Sequence, residues 1–295
     1  MTVYMSPTKE QVRNWIENFV PKIDLFFVHE DDLAMLTEHL NEVLVVPRKE
    51  FFEHNSYNQI QFVNSYMYWC ISKDVKYVIV GEPNWITKIP KQIQRELLFK
   101  QYKVGRGLVF PLSILPSSSS IPEEYIFEDK GEKLLIIQRN MWNELPFEVK
   151  ESAIQAYAQL WDDWNCCEIP EQTPMHIKKY ANKFASVQGS NCCAATLFAI
   201  TGQDWIIGEW VYPDTLSDGL ARANFFETDD EIQPGDVITW VDGDDHIQHA
   251  SYHIKNNYFF NKNGQTFFNP WKIIHWDRLI EEWSQYKTKV YRKRL

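Results

Sequence analysis

The sequence lacks any apolar run long enough to cross a bilayer, because no stretch of about 18 apolar residues occurs in it. It also lacks the basic start and apolar stretch of a secretory signal peptide. Cysteine is scarce: four of the five cysteines form two adjacent pairs, which is a poor framework for disulfides. We therefore expect a cytoplasmic protein with no membrane partner and with free thiols, among which Cys70 is expected in the core.

The chain has fewer positively charged residues than negatively charged ones. Lysine and arginine total 30 against 40 aspartates and glutamates, which gives a formal net charge of -10. Because an acidic protein repels phosphate backbones, nucleic acid is not an expected partner. Hydrophobic residues make up 44% and charged residues 24%, a composition that excludes a wholly disordered chain.

The length of 295 residues exceeds what one ordinary core needs and predicts two domains. The first half mixes helical and strand patterns, whereas the second half carries a dense series of strands. We expect an α+β protein with a boundary at 170/171. Residues 1–170 form a mixed α/β domain of unknown role, for which a protein partner is one expectation, and residues 171–295 form the second domain.

Local patterns place several elements in the first domain. Thr8 and Gln11 have the spacing of a capping box at the start of a helix. Apolar residues recur at helical spacing over 31–44 and over 147–164, which predicts two more helices. Four serines at 117–120 between prolines predict a loop.

The second domain reads as an antiparallel meander followed by a helix. Strands are predicted at Val237–Val241 and His246–Ile254. A hairpin is predicted around Asn263-Gly264, a dipeptide that favours tight turns. Its two strands are Tyr258–Asn261 and Thr266–Phe268, and the final helix is expected at Trp276–Tyr286.

A candidate nucleophile lies where a small polar turn changes into a helix of small apolar residues. Cys192 and Cys193 stand at this junction. Unpaired backbone donors and the positive helix end lower a thiol pKa there and favour the reactive thiolate. Adjacent helical positions point about 100° apart, so only one of the two thiols can face a base. The same amides, with the side chain of Gln188, can hold the oxyanion of a tetrahedral intermediate.

His249, near the start of a predicted strand, is the candidate base. A polar side chain one strand later, from Asn261, Asn263 or Gln265, can accept the Nδ1 hydrogen of the imidazole and fix its tautomer. The residues thus supply a nucleophile, a base and an orienting group in chain order.

This order of cysteine helix, histidine strand and polar strand resembles the papain-like superfamily, including its NlpC/P60 and bacteriocin-processing branches. The resemblance covers about residues 185–275. It implies that Cys192 is the nucleophile, since Ala194 follows it as in the Cys-x-Ala pattern, with Cys193 as the alternative. It also implies His249 as the base, Asn263 as the third residue and Gln188 as the oxyanion donor, although Gln188 lies closer to the cysteines than the family spacing.

The function implied by the resemblance is a cysteine-dependent hydrolase, a peptidase or amidase that acts on a peptide or amide substrate without a cofactor or metal. Two alternatives remain open. One is a non-catalytic binding or immunity-type protein on a degenerate papain-like fold. The other is a zinc site that uses the clustered histidines His246, His249 and His253.

Overall fold

The computed structural model describes residues 2–116 and 121–294, so the predicted serine loop at 117–120 lies outside the described residues. The chain divides into two compact units. The first unit is Val12–Tyr157, and the second unit is Met1–Gln11 together with Ala158–Leu295. The division at 157/158 falls earlier than the expected 170/171, and the N-terminal residues belong to the second unit. Both units combine helices with antiparallel sheets, an α+β architecture.

Strands and helices are numbered along the chain. The first unit, with α1 across its first boundary, comprises α1 (Lys9–Asn18), β2 (Asp24–Val28), α2 (Glu30–Leu36), β3 (Leu44–Pro47), α3 (Arg48–Glu53), α4 (Ile60–Tyr66), β4 (Tyr77–Gly81), α5 (Trp85–Lys88), α6 (Lys91–Lys103), β5 (Val109–Pro111), β6 (Ile126–Asp129), β7 (Glu132–Ile136), α7 (Arg139–Glu144) and α8 (Phe147–Ala158). Its two sheets have the strand orders β2-β4-β3 and β5-β7-β6.

The second unit comprises β1 (Thr2–Tyr4), β8 (Asn165–Cys167), α9 (Met175–Tyr180), α10 (Cys192–Thr201), α11 (Pro213–Arg222), β9 (Phe225–Thr228), β10 (Val237–Val241), β11 (Ile247–Lys255), β12 (Tyr258–Lys262), β13 (Trp271–His275), α12 (Trp276–Glu282) and β14 (Lys287–Lys293). Its main sheet has the order β13-β12-β11-β10-β14-β9, and β1 pairs with β8. Every neighbouring pair is antiparallel.

The predicted capping box is confirmed: the Thr8 backbone N–H donates to Gln11 Oε1 at 2.7 Å, and the Gln11 N–H donates to Thr8 Oγ1 at 3.2 Å. The predicted long helix over 147–164 is confirmed at its start but extends too far, since α8 ends at Ala158. The chain beyond it pairs with the N-terminal strand instead, and the Trp164 carbonyl accepts from the Met5 N–H at 2.8 Å. This long-range pairing overrides the local helical pattern.

The predicted meander is confirmed for β10, β11 and β12, but the tight hairpin at Asn263-Gly264 is wrong. β12 ends at Lys262 and β13 begins at Trp271, so residues 266–268 lie in a loop. The buried Lys262 organises this loop, because its Nζ donates to the carbonyls of Thr266 and Asn269 at 3.1 and 2.6 Å. The loop therefore folds around a lysine rather than continuing the ladder.

Helices cover both faces of the main sheet. On one face α10 and α11 form a cluster with β9, β10 and β11; its buried members include Cys193, Ala194, Leu197, Leu216, Leu220, Val237 and Ala250. On the other face α12 packs over Ile238, Trp240, Phe259 and Ile274 through Leu279. Among the described residues, no helix combines the length and apolarity that a bilayer crossing requires.

A buried ion pair holds β13 in the second unit. Lys272 Nζ lies 2.7 Å from Asp162 Oδ1, and both side chains are almost fully buried. We expect Lys272→Met to lower the free energy of unfolding by about 3–5 kcal/mol, because it strands a buried carboxylate. Chemical denaturation measures this loss.

The matched control is Lys179→Met, which removes the exposed partner of Asp204 and should change stability little. Equal stability losses in the two variants would contradict the structural role given to Lys272.

Candidate active site

Helix α10 begins at a cysteine. Its N-cap is Asn191, whose Oδ1 accepts from the Ala194 N–H at 3.0 Å. The helix ends at Thr201 and is capped by Gly202, whose φ of 69° is left-handed and suits glycine. Cys192 is thus the first helical residue, where N–H groups lack intrahelical partners and the helix dipole favours negative charge.

The two adjacent thiols occupy different environments. Cys192 is half-buried, whereas Cys193 is buried among the apolar residues under α10. Their sulfur atoms are 4.0 Å apart. Only Cys192 interacts with the His249 side chain and the Ala250 N–H.

Strand β11 delivers the histidine through a β-bulge. Trp240 of β10 pairs with His249, but the next residue, Val241, pairs with Ile247, so Gln248 is an extra residue in β11. A bulge of this kind re-aims the side chains beside it. His249 is buried, and its ring stacks on Trp283 with centroids 4.0 Å apart and an interplanar angle of 5°.

The surroundings of Cys192 hold its pKa well below the ordinary thiol value. The hydrogen bond from the Cys193 thiol contributes most, and the hydrogen bond and charge of His249 and the Ala250 N–H add to it, against the opposing effect of burial. The pKa of Cys193 is raised, because its proton bonds to Cys192 and because it is buried beside that thiolate. Cys192 is therefore the more acidic of the two thiols, and Cys193 keeps its proton and donates it to Cys192.

Asn261 of β12 holds the imidazole of His249. Its Oδ1 lies 2.7 Å from His249 Nε2 and also accepts from the Ser251 hydroxyl at 2.5 Å. The acceptor oxygen places the proton on Nε2 and leaves Nδ1 for Cys192. The predicted contact at Nδ1 is therefore wrong: the orienting group binds the other ring nitrogen.

Asn263, the residue chosen from the sequence for this contact, bonds to Asn261 instead of to His249. Its Oδ1 accepts from Asn261 Nδ2 at 3.0 Å, and its Nδ2 donates to Glu282 Oε2 at 3.1 Å. Glu282 in turn accepts from Arg278 Nε at 2.8 Å. This chain of hydrogen bonds fixes the amide of Asn261 with its oxygen toward His249, so Asn263 supports the orienting group and Asn261 is that group.

Gln188 lies before the nucleophile helix with both polar atoms of its side chain buried and, among the described residues, without a hydrogen-bond partner. Buried amides are rarely left unpaired, so an unmet donor here suits an oxygen that arrives with a ligand. The next residue, Gly189, donates its N–H to the Gln265 carbonyl at 2.9 Å, which ties this segment to the loop that Lys262 organises. Burial lowers the pKa of Lys262 to about 7.

The three histidines considered as zinc ligands are not brought together. His246 is exposed in the turn between β10 and β11, where its ring and the carboxylates of Asp242 and Asp244 lie within 4.8 Å of one another. His253 stacks on Phe259 with centroids 4.7 Å apart. Four residues of strand separate it from His249 by about 13 Å.

All five cysteines are free thiols. Cys166 and Cys167 lie on β8, where the buried Cys166 donates to the Val3 carbonyl at 3.4 Å. The expectation that Cys70 lies in the core is wrong, because it is exposed at the end of a short helical turn.

Several contributors to this site were missed from the sequence. Ser251 shares a face of β11 with His249 by strand alternation, a signal that was available. Lys262 and Trp283 gave no local signal, because only the tertiary fold brings them near the two active groups.

No model of a known protein family, no curated protein and no solved structure matches this chain in the three comparisons.

At neutral pH we expect iodoacetamide to alkylate Cys192 faster than Cys193, because the thiolate is the reactive form. Since its surroundings hold the pKa of Cys192 well below the ordinary thiol value of 9.0, the midpoint of its rate against pH should also lie well below 9.0. Mass-spectrometric mapping over a pH series measures it, with the exposed Cys70 as internal reference. Faster labelling of Cys193 would contradict the assignment.

Removal of the orienting amide should slow this reaction. We expect Asn261→Ala to lower the alkylation rate of Cys192 about tenfold, the size of one lost hydrogen bond to a charged group. Asn263→Ala should lower it about threefold, because it acts only through Asn261. Lys255→Ala, an exposed change at the far end of the same strand, is the control. A larger effect of Asn263→Ala than of Asn261→Ala would reverse the two roles.

Proposed function

We propose that this protein is a cysteine-dependent hydrolase, a peptidase or amidase, that resembles the papain-like superfamily in its second unit. The observation that supports this most is the Cys192–His249–Asn261 set. A thiol with a lowered pKa begins a helix, and it interacts with a buried imidazole whose other nitrogen is held by an amide at 2.7 Å.

The first half of the reaction forms an acyl enzyme. The Cys192 thiolate attacks the carbonyl carbon of the substrate, and the carbonyl oxygen becomes an oxyanion. The helix-start N–H groups and the Gln188 amide donate to this oxyanion. His249, protonated at Nδ1, then gives that proton to the leaving nitrogen, the C–N bond breaks, and an amine departs.

The second half releases the acid. Water attacks the thioester while Nδ1 of His249 takes its proton. The oxyanion collapses, the C–S bond breaks, and the thiolate and protonated imidazole are restored. Asn261 keeps the ring oriented throughout. Trp283 covers one face of the ring.

The test uses a library of fluorogenic peptide amides. Cys192→Ala should lower turnover at least about a thousandfold, because the nucleophile is lost. Cys193→Ala should retain turnover. The acid limb of its pH–rate profile should move to higher pH, since the largest contribution to the lowered pKa of Cys192 is removed. Cys70→Ala is the matched control, and circular dichroism verifies that each variant is folded.

Turnover retained by Cys192→Ala would contradict the hydrolase. So would tight binding of one library member by the wild type without hydrolysis of any, a result that favours the non-catalytic binding protein.

A further inference from the structure

Two exposed aromatic side chains lie on the segment that joins α10 to α11. Trp210 and Tyr212 are 38% and 62% exposed, and their rings stack with centroids 5.6 Å apart at an interplanar angle of 21°. We call this pair the aromatic shelf. Large aromatic rings exposed together in a monomer often mark a binding surface.

Hydrogen bonds fasten the shelf to the residues that precede the nucleophile. Asn191 Nδ2 donates to the Val211 carbonyl at 2.8 Å, and the Ser190 hydroxyl donates to the Ile207 carbonyl at 2.5 Å. Asn191 is the N-cap directly before Cys192, so their Cα atoms are about 3.8 Å apart. The backbone between the two rings is therefore fastened to the residue that directly precedes Cys192.

The backbone turns both rings outward. The Val211 side chain is buried in the cluster that also contains Cys193. Tyr212 has the extended angles φ -77° and ψ 155°. In extended chain, the neighbours of an inward residue point the opposite way, so the shelf faces solvent on the side away from the core.

The flanks of the shelf are negatively charged. Glu209 and Asp214 are exposed on either side of it. Asp204 pairs with Lys179, and Asp218 pairs with Arg222 at 3.5 Å, whereas neither Glu209 nor Asp214 forms an ion pair within the described part of the chain.

We propose that the aromatic shelf binds an arginine side chain of a peptide substrate, next to the bond that Cys192 attacks. A guanidinium is planar and stacks on an aromatic face, and nearby carboxylates attract its charge. The proposal rests on the hydrolase function for its catalytic consequence: cleavage of peptides close to an arginine.

A binding measurement tests the shelf without hydrolysis. The full chain carrying Cys192→Ala is titrated against a fluorescein-labelled hexapeptide with one arginine, and against the same peptide with citrulline, which has nearly the same shape without the charge. We expect the arginine peptide to bind about tenfold more tightly at low salt, with the difference shrinking as salt is added.

Substitutions show which side chains produce the preference for arginine. Adding Trp210→Ala or Tyr212→Ala should reduce the affinity for the arginine peptide to the citrulline level, and Glu209→Gln should reduce the preference in part. Trp205→Ala is the matched control, since Trp205 is 69% exposed on the same segment but outside the stacked pair. Equal affinity for both peptides, or an equal loss in Trp205→Ala, would overturn the proposal.

Wild-type cleavage separates this proposal from the hydrolase function. Arginine-selective binding without cleavage of the arginine peptide would support arginine binding by the shelf and contradict the hydrolase function. Cleavage with equal rates for the arginine and citrulline peptides would support the hydrolase function and contradict arginine binding by the shelf.

Discussion

The contact of 2.7 Å between His249 Nε2 and Asn261 Oδ1 fixes the imidazole in one orientation and one tautomer. With Nε2 occupied by the amide, Nδ1 is the nitrogen that remains for Cys192. The share of the lowered Cys192 pKa that comes from His249 depends on this arrangement, and the Cys193 hydrogen bond adds the largest share. The stacking of the ring on Trp283 fixes its plane, and the amide fixes which nitrogen faces Asn261.

The fold supports this contact from three directions. The bulge at Gln248 sets where His249 leaves β11, and the pairing of β11 with β12 brings Asn261 to it. Helix α12 adds the Asn263–Glu282 hydrogen bond that fixes the orienting amide from the far side. The helix dipole and the Cys193 thiol stabilise the negative charge of Cys192, so several groups together lower the pKa of this thiol.

Sequence reasoning succeeded where the determinants are local. The capping box needed only Thr8 and Gln11, and the strand at Val237–Val241 followed from its β-branched run. Local patterns do not reveal partners that are distant in sequence, such as the pairing of Val290 in β14 with Ile238 in β10. The choice of Asn263 over Asn261 failed for a related reason, because strand alternation alone could not locate the end of β12.

The most direct test of the account is the ultraviolet absorbance of the Cys192 thiolate, measured over a pH series as the difference between the wild type and Cys192→Ala. The account predicts a midpoint well below the ordinary thiol value of 9.0, and a rise of that midpoint in His249→Ala. The same, ordinary midpoint in both proteins would mean that Cys192 and His249 do not act as a pair, and would contradict the account.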